Sequence, residues 1–220
     1  FRKAISLPPH VAAARAFRLI NRIISQQWTR WRDHRSPTFI PIERAPANPL
    51  IRYFEPVPIT LLRPHTDSIR ALSQMVSRHT FDLLGSGWVE VRRGLKAQGL
   101  DGHTYNMESP VDADHEGRWL AGRINSANLS ESRHIWQLID SDYQPIDWHI
   151  DFKSGYRWDE STWFADIPYG HQPGVDVKVP WELARMQHLA WLAWAFALAS
   201  KGAQGFESPE HYQREFRNQV

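Results

Sequence analysis

The segment of residues 176–200 constrains the fold more than any other, because its composition is that of a buried helix. Alanine, leucine and methionine, all strong helix formers, dominate it. Pro180 suits the first turn, where a missing backbone N–H is not needed, and Gly202 is placed to end the helix. The sequence therefore predicts one continuous helix that is apolar on nearly every side and lies in the core.

A polar cluster interrupts this apolar segment near its N-terminal end. On a continuous helix Trp181, Arg185 and His188 would share one face, with Glu182 and Gln187 beside it. A second face of the same helix would be apolar, with residues at helical spacing: Leu183, Met186, Ala190, Ala193 and Ala197. We therefore expect the helix to present its N-terminal end to a cleft.

Composition excludes several classes of protein. The 220 residues suffice for one large domain or two small ones, and a formal net charge of +2 does not by itself demand a nucleic acid or a membrane. The chain has no cysteine, which excludes disulfides and thiolate zinc sites. No apolar run is long enough to predict a membrane span. The eleven tryptophans serve either as core residues or as stacking surfaces for sugar rings.

The first two of three regions are set apart by charge and by proline. Residues 1–35 are predicted to form a basic amphipathic helix, over 10–34, with Arg15, Arg18 and Arg22 on one side. We interpret that side as a solvated face, with contact to an anionic polymer or a membrane surface as the alternative. Residues 36–64 contain seven prolines, which predicts an extended segment or linker without helix.

Residues 65–220 form the third region, which we expect to be helical with a short β-hairpin at Lys153-Ser-Gly155. Further elements are predicted as helices over 66–79, 115–123 and 130–140 and a strand over 88–91. A last helix begins at Ser208 and its apolar stripe continues to Val220. Because the chain also begins at Phe1 without a signal-peptide pattern, we expect a fragment truncated at both ends.

Signatures of metal or cofactor chemistry are weak. His149 and Asp151 would point to the same side of an extended segment, where another acidic residue or His171 could complete a metal site. That spacing is common by chance, and the sequence contains no HExxH motif, P-loop, dinucleotide fingerprint or nucleophile elbow. We therefore expect neither a metal nor a cofactor.

An acidic polysaccharide suits the polar and aromatic residues better. Arg185 can pair with a carboxylate, Gln187 and His188 can bond hydroxyls, and tryptophan can stack on a sugar ring. A uronic-acid polymer can be cleaved by β-elimination, in which the proton α to the carboxylate is removed and the 4-oxygen leaves. Tyr156 and His149 are candidate bases only if the hairpin folds over the same cleft.

Three separated segments resemble the heparinase II/III-like polysaccharide lyases, in the order found in the N-terminal region of that family. They are Phe81-Asp-Leu-Leu-Gly-Ser-Gly-Trp88, Ile146-Asp-Trp-His-Ile-Asp-Phe-Lys-Ser-Gly-Tyr-Arg-Trp158 and Lys178-Val-Pro-Trp-Glu-Leu-Ala-Arg-Met-Gln-His188. The resemblance covers residues 10–220 and implies an (α/α) toroid of paired helices, a C-terminal antiparallel β-sandwich domain and β-elimination on uronic-acid glycans.

The resemblance does not supply catalytic residues. The family's catalytic Asn-His pair and Tyr lie on helices after the third segment, and a further His comes from the β-domain. In this chain those positions would lie beyond Val220. Residues 94–143 look like an insertion relative to many members of the family. The substrate of this chain's subgroup can therefore differ from that of the enzymes for which the family is named.

The sequence thus predicts a mainly α fold, an incomplete (α/α) toroid with a short β-hairpin, from a lyase that cleaves uronic-acid-containing glycans. This part would supply a wall of the substrate cleft through eight residues: Trp148, His149, Tyr156, Trp181, Glu182, Arg185, Gln187 and His188. The expected partners are an acidic polysaccharide and the β-sandwich domain of the same parent chain, in the periplasm or cell envelope.

Each of these assignments has an alternative. Trp148 and Trp181 could fill helix packing, and Glu182 and Arg185 could form a structural ion pair. Three aspartates could cap backbone N–H groups: Asp147, Asp151 and Asp166. Two other functions stay open, namely a non-catalytic acidic-glycan-binding module in exopolysaccharide or lipopolysaccharide production and, ranked last, nucleic-acid binding by the basic helix.

Overall fold

The computed structural model describes residues 8–36, 57–107 and 112–220. This part of the chain is mainly helical with two small antiparallel sheets, which confirms the predicted class. Its α-helices are α1 (Pro9–Asp33), α2 (Ile59–Leu62), α3 (Thr66–Ser77), α4 (Leu129–Trp136), α5 (Lys178–Ala184), α6 (Leu189–Ala199) and α7 (Pro209–Gln219). Its strands are β1 (Thr80–Phe81), β2 (Val89–Glu90), β3 (Ile150–Asp151) and β4 (Tyr156–Arg157). None of these helices is both long and apolar enough to cross a lipid bilayer.

The hydrophobic core is built around α6, which packs against α3 and α7. α6 buries Leu192, Ala195 and Leu198, and α3 contributes Ile69 and Val76. Fully burying one such large apolar side chain stabilises the fold by about 1.5–3 kcal/mol. The apolar composition of α6 is therefore explained by neighbours on more than one side.

α7 begins where the sequence predicts it. The Ser208 hydroxyl accepts a hydrogen bond from the His211 N–H at 3.3 Å, and Pro209 occupies the first turn. Tyr212 is buried in the core, and its hydroxyl accepts a hydrogen bond from the Glu207 N–H at 3.1 Å. These contacts fix the connection between α6 and α7.

The continuous helix predicted over 176–200 is wrong. The chain leaves α5 after Ala184, Met186 takes a left-handed conformation with φ of 55°, and α6 starts at Leu189. On one continuous helix Leu183 and Leu189 would point about 120° apart, whereas the break lets both side chains enter the same core. As a result Trp181, Arg185 and His188 do not share a helix face.

The Pro-rich segment 36–64 lies mostly outside the described residues. In its described end the expected absence of helix is wrong, because α2 forms there. Pro58 precedes the first helical residue, and Pro64 lies in the first turn of the following 3-10 helix, Arg63–His65. Neither position needs a proline N–H, so the prolines frame these short turns.

Two predicted helices are shorter than expected. The segment 115–123 contains only a 3-10 turn, Arg118–Leu120, and α4 ends at Trp136 rather than at residue 140. The Asp114 carboxylate accepts hydrogen bonds from the backbone N–H groups of Arg118 and Trp119 at 3.0 and 3.2 Å. This local capping holds a tight turn in place of a longer helix.

Two hairpins complete the fold, one of them at the predicted turn. β1 pairs with β2, and β3 pairs with β4 through Ile150 opposite Arg157 and Asp151 opposite Tyr156. The Asp151 carboxylate caps the second turn by accepting a hydrogen bond from the Lys153 N–H at 3.1 Å. It also accepts one from the Asp176 N–H at 3.0 Å, which ties the hairpin to the segment that leads into α5.

Candidate functional site

A cleft of about 980 Å³ opens between α4, the end of α5, the end of α7 and the loop that precedes β3. Its walls are largely aromatic and aliphatic, and three tryptophans contribute to them: Trp119, Trp136 and Trp148. Large apolar clefts with a few convergent polar groups are the usual form of ligand sites. This cleft is therefore the candidate site.

Two of the tryptophans are held rigidly by their neighbours. The rings of Trp119 and Trp136 meet edge to face with 5.1 Å between centroids, and the Trp136 indole N–H donates to the Asp114 carbonyl at 2.8 Å. The Arg93 guanidinium lies 4.9 Å from the centre of the Trp119 ring. The result is a fixed aromatic wall with a cation against it.

Two of the buried polar atoms in this wall are donors on aromatic side chains that have no hydrogen-bond partner among the described residues. They are the indole nitrogen of Trp119 and the hydroxyl of Tyr143. Burial, with a smaller effect from the Glu215 charge, raises the pKa of Tyr143 above its ordinary value, so the phenol keeps its proton. Because buried polar groups are nearly always paired, both donors are suited to a ligand oxygen or to water.

A buried ion network supports the cleft from behind. Arg157 bonds Asp147 at 2.9 Å and Glu160 at 2.8 Å, and both carboxylates belong to residues that line the cleft. Arg123 approaches Glu160 at 3.5 Å. Desolvation acts to raise the pKa of Glu160, but the hydrogen bond and charge of Arg157 outweigh it and hold that pKa below its ordinary value.

The cleft includes two of the eight residues that the sequence singles out, Trp148 and His149. α5 reaches it through Ala184 and the following Met186, whereas the predicted binding residues of this segment do not line it. Those residues are Trp181, Glu182, Arg185, Gln187 and His188.

Arg185 and Glu182 form the alternative ion pair, at 3.3 Å, on a solvent-facing side of the chain. Trp181 is exposed rather than packed between helices, and Gln187 is also exposed. These side chains are accessible to a ligand, but they lie outside the cleft. Their part in binding stays a prediction.

His188 is a packing residue where the three resembling segments meet. Its ring contacts Phe81 with 4.9 Å between centroids and lies 6.2 Å from Trp148. The first and second segments are also joined directly, because the Lys153 ammonium donates a hydrogen bond to the Leu84 carbonyl at 2.8 Å. Burial, with a smaller effect from the nearby His79, lowers the pKa of His188 to about 4. His188 is therefore neutral at pH 7.

Tyr156 lies outside the cleft, so the hairpin does not bring it together with His149 there. Its ring packs against Tyr105 and Trp158, and its hydroxyl is 3.0 Å from the His171 imidazole. No pair of a base and an acid from the predicted set thus faces this cleft.

Sequence reasoning missed Trp119, Trp136, Tyr143 and Arg93. Three of them, Trp119, Tyr143 and Arg93, come from irregular parts of the chain where no periodicity indicates a common face, and Trp136 lies at the end of α4. The usable signal was two tryptophans in an otherwise polar stretch, since a large apolar side chain there needs a surface to contact.

Within the described residues no three His, Cys, Asp or Glu side chains converge to hold a metal ion. His149 and Asp151, the pair that the sequence suggests for a metal site, lie in different surroundings. The carboxylate of Asp151 is buried and bonded inside the hairpin turn, whereas His149 belongs to the cleft.

Comparisons of the chain with protein-family models, with curated proteins and with solved structures found no match in any of the three. The resemblance to the lyases therefore rests on the three sequence segments alone.

Proposed function

We propose that this chain supplies one wall of a cleft for an acidic polysaccharide, as the N-terminal, incomplete (α/α) toroid of a heparinase II/III-like lyase. The observation that carries the proposal is the pair of unpartnered buried donors, Trp119 and Tyr143, set among indole rings. A sugar has apolar ring faces that stack on indoles and hydroxyls that accept such hydrogen bonds.

The preference for an acidic sugar follows from the cations at the cleft. Arg93 lies against Trp119, and Arg217 contributes to the lining from α7. A uronate ring stacked on this wall would bring its carboxylate within reach of a guanidinium, which binds carboxylates in a planar, two-pronged geometry.

The packing of the resembling segments also supports the proposal. They meet around His188, so residues far apart in the chain form one structural unit beside the cleft. We assign this unit to shaping the cleft. Proton removal from the carbon next to the carboxylate, and departure of the 4-oxygen, are assigned to residues of the parent protein beyond Val220.

The first test is a calorimetric titration of this chain with oligosaccharides of polygalacturonate, hyaluronate and heparin, and with neutral dextran. We expect at least one acidic glycan to bind and dextran not to bind. Arg93→Gln should weaken binding by roughly 10–100-fold, the value of a charge-assisted hydrogen bond. Arg92→Gln is the matched control, because Arg92 is exposed, pairs with Glu90 at 3.3 Å and does not line the cleft. Equal losses in both variants, or equal binding of dextran, would contradict the proposal.

The second test distinguishes the lyase from a non-catalytic glycan-binding module. The longest reading frame that contains this chain is expressed and incubated with each glycan that the short chain binds. A lyase is expected to release unsaturated uronate ends, which are measured by their ultraviolet absorbance. Binding without release would favour the binding module.

A further inference from the structure

α1 stands apart from the core. None of its residues, all of which are described, is buried. It contacts the rest of the described chain near its C-terminal end, where Arg30 pairs with Asp166 at 2.9 Å and the Trp163 indole donates to Asp33 at 3.2 Å. Asn125 also donates to the Asp33 carbonyl. The helix is therefore tethered at one end and exposed along its length.

One side of α1 is largely apolar, with Gln27 as a polar residue near its centre. Its seven large side chains are 48–65% exposed: Phe17, Leu19, Ile20, Ile23, Ile24, Trp28 and Trp31. At about 100° per residue they cover roughly half of the helix circumference. An exposed apolar patch of this extent marks a contact with another surface.

The opposite side is basic and polar. Arg15, Arg18 and Arg22 lie there, and Ser25 and Thr29 continue the same side towards the C-terminal end of the helix. In the described ranges these three arginines form no ion pair. The helix contains a single acidic residue, Asp33, at the tethered end.

We propose that α1 binds along the surface of an anionic lipid bilayer, with its apolar face in the interface. A helix of this kind combines Trp, Phe and aliphatic residues on one face with arginine on the other, and it lies in the plane of the membrane. The apolar residues reach the hydrocarbon boundary, and the arginines stay within about one Debye length of the anionic headgroups.

The same features argue against a second copy of the chain as the occupant. A helix pair buries a narrow apolar seam and uses charges of both signs beside it to fix the partner. The apolar face of α1 is wider than such a seam, and its flanking charges are of one sign. A fluid anionic surface matches both the width and the sign. This inference is independent of the glycan cleft, since α1 does not line it.

The test is co-sedimentation of the chain with vesicles of equimolar phosphatidylcholine and phosphatidylglycerol, and with vesicles of phosphatidylcholine alone. We expect strong binding to the anionic vesicles that weakens as salt is added. Removing three charges with Arg15→Gln, Arg18→Gln and Arg22→Gln should lower partitioning by on the order of 100-fold.

Two matched double variants distinguish the effect of the apolar face from the effect of the added negative charge. Ile20→Asp with Ile24→Asp places two charges on the apolar face, and Ser25→Asp with Thr29→Asp places the same charges, at the same spacing, on the polar face. The first pair should abolish binding and the second should only weaken it. Because none of the four residues is buried, both variants should keep the melting temperature of the core.

Equal loss in the two variants, or absence of wild-type binding to the anionic vesicles, would overturn the proposal. A concentration-dependent dimer that Ile20→Asp with Ile24→Asp dissociates, in a protein that does not bind vesicles, would assign the face to a second copy.

Discussion

Substituting Arg157 by leucine should destabilise the fold severely. The Arg157 side chain is 3% exposed, and its two partners, Asp147 and Glu160, are 2% and 7% exposed. Removing the cation takes the main partner from two buried carboxylates and leaves Glu160 with the longer contact to Arg123, at 3.5 Å. The expected loss is about 3–5 kcal/mol in the free energy of unfolding at pH 7.

The loss should shrink as the pH falls. In the wild type the pKa of Glu160 is held below its ordinary value of 4.5, so its favourable contribution is complete above that pH and is lost as the carboxylate protonates. In the variant desolvation, which raises the pKa of the same carboxyl, is no longer opposed by the hydrogen bond and charge of Arg157. Protonation then relieves the penalty, and the two proteins should converge towards pH 4.5.

The assay is urea unfolding at pH 7 and at pH 4.5, followed by tryptophan fluorescence and circular dichroism, with equal slopes required for comparison. Arg92→Leu is the control, because it breaks an exposed pair that is worth about 0.2–1 kcal/mol. Adding Asp147→Asn and Glu160→Gln to Arg157→Leu should recover part of the loss. A loss below about 1 kcal/mol, or an equal loss at both pH values, would refute the reasoning.

Two further predictions concern a turn and a buried histidine. Gly155→Ala should cost about 1–3 kcal/mol more than Gly85→Ala in the free energy of unfolding. Both glycines have positive φ, but a Cβ at Gly155 would lie 2.1 Å from the Tyr105 carbonyl oxygen, whereas the described chain leaves space beside Gly85; equal losses in thermal or urea unfolding would show that the turn can shift. Burial lowers the pKa of His188 from 6.5 to about 4, so the unfolded chain takes up the proton first, and His188 alone should lower wild-type stability between those pH values by roughly 3 kcal/mol. His188→Leu should remove that part of the pH dependence in urea unfolding, and an unchanged slope would mean that His188 is not the group responsible.

Elements that depend on neighbouring residues could be predicted well. The serine cap and proline at the start of α7 and the turn after β3 each involve a few consecutive positions. The long periodic pattern of α1 is likewise contained in its own sequence. The helix predicted over 176–200 failed because its break at Met186 serves two leucines that reach one core, which no local propensity encodes.

The candidate site was predictable only in part. Trp148 and His149 were found because they belong to the second of the three segments that resemble the lyases. Trp119 and Tyr143 come from irregular loops, where side-chain direction follows from turns such as the one capped by Asp114. Without a repeating pattern, their convergence could not be read from the order of residues.

The sequence by itself determined the mainly helical class, the absence of disulfide chemistry and the two-sided character of α1, because propensity and periodicity act within a few turns of one segment. The tertiary structure alone decided which charges are buried, as for Arg157, and which apolar face is left uncovered, as on α1. Burial and ion pairing depend on distances in space between residues that are far apart in the chain, and those distances exist only once the chain has folded.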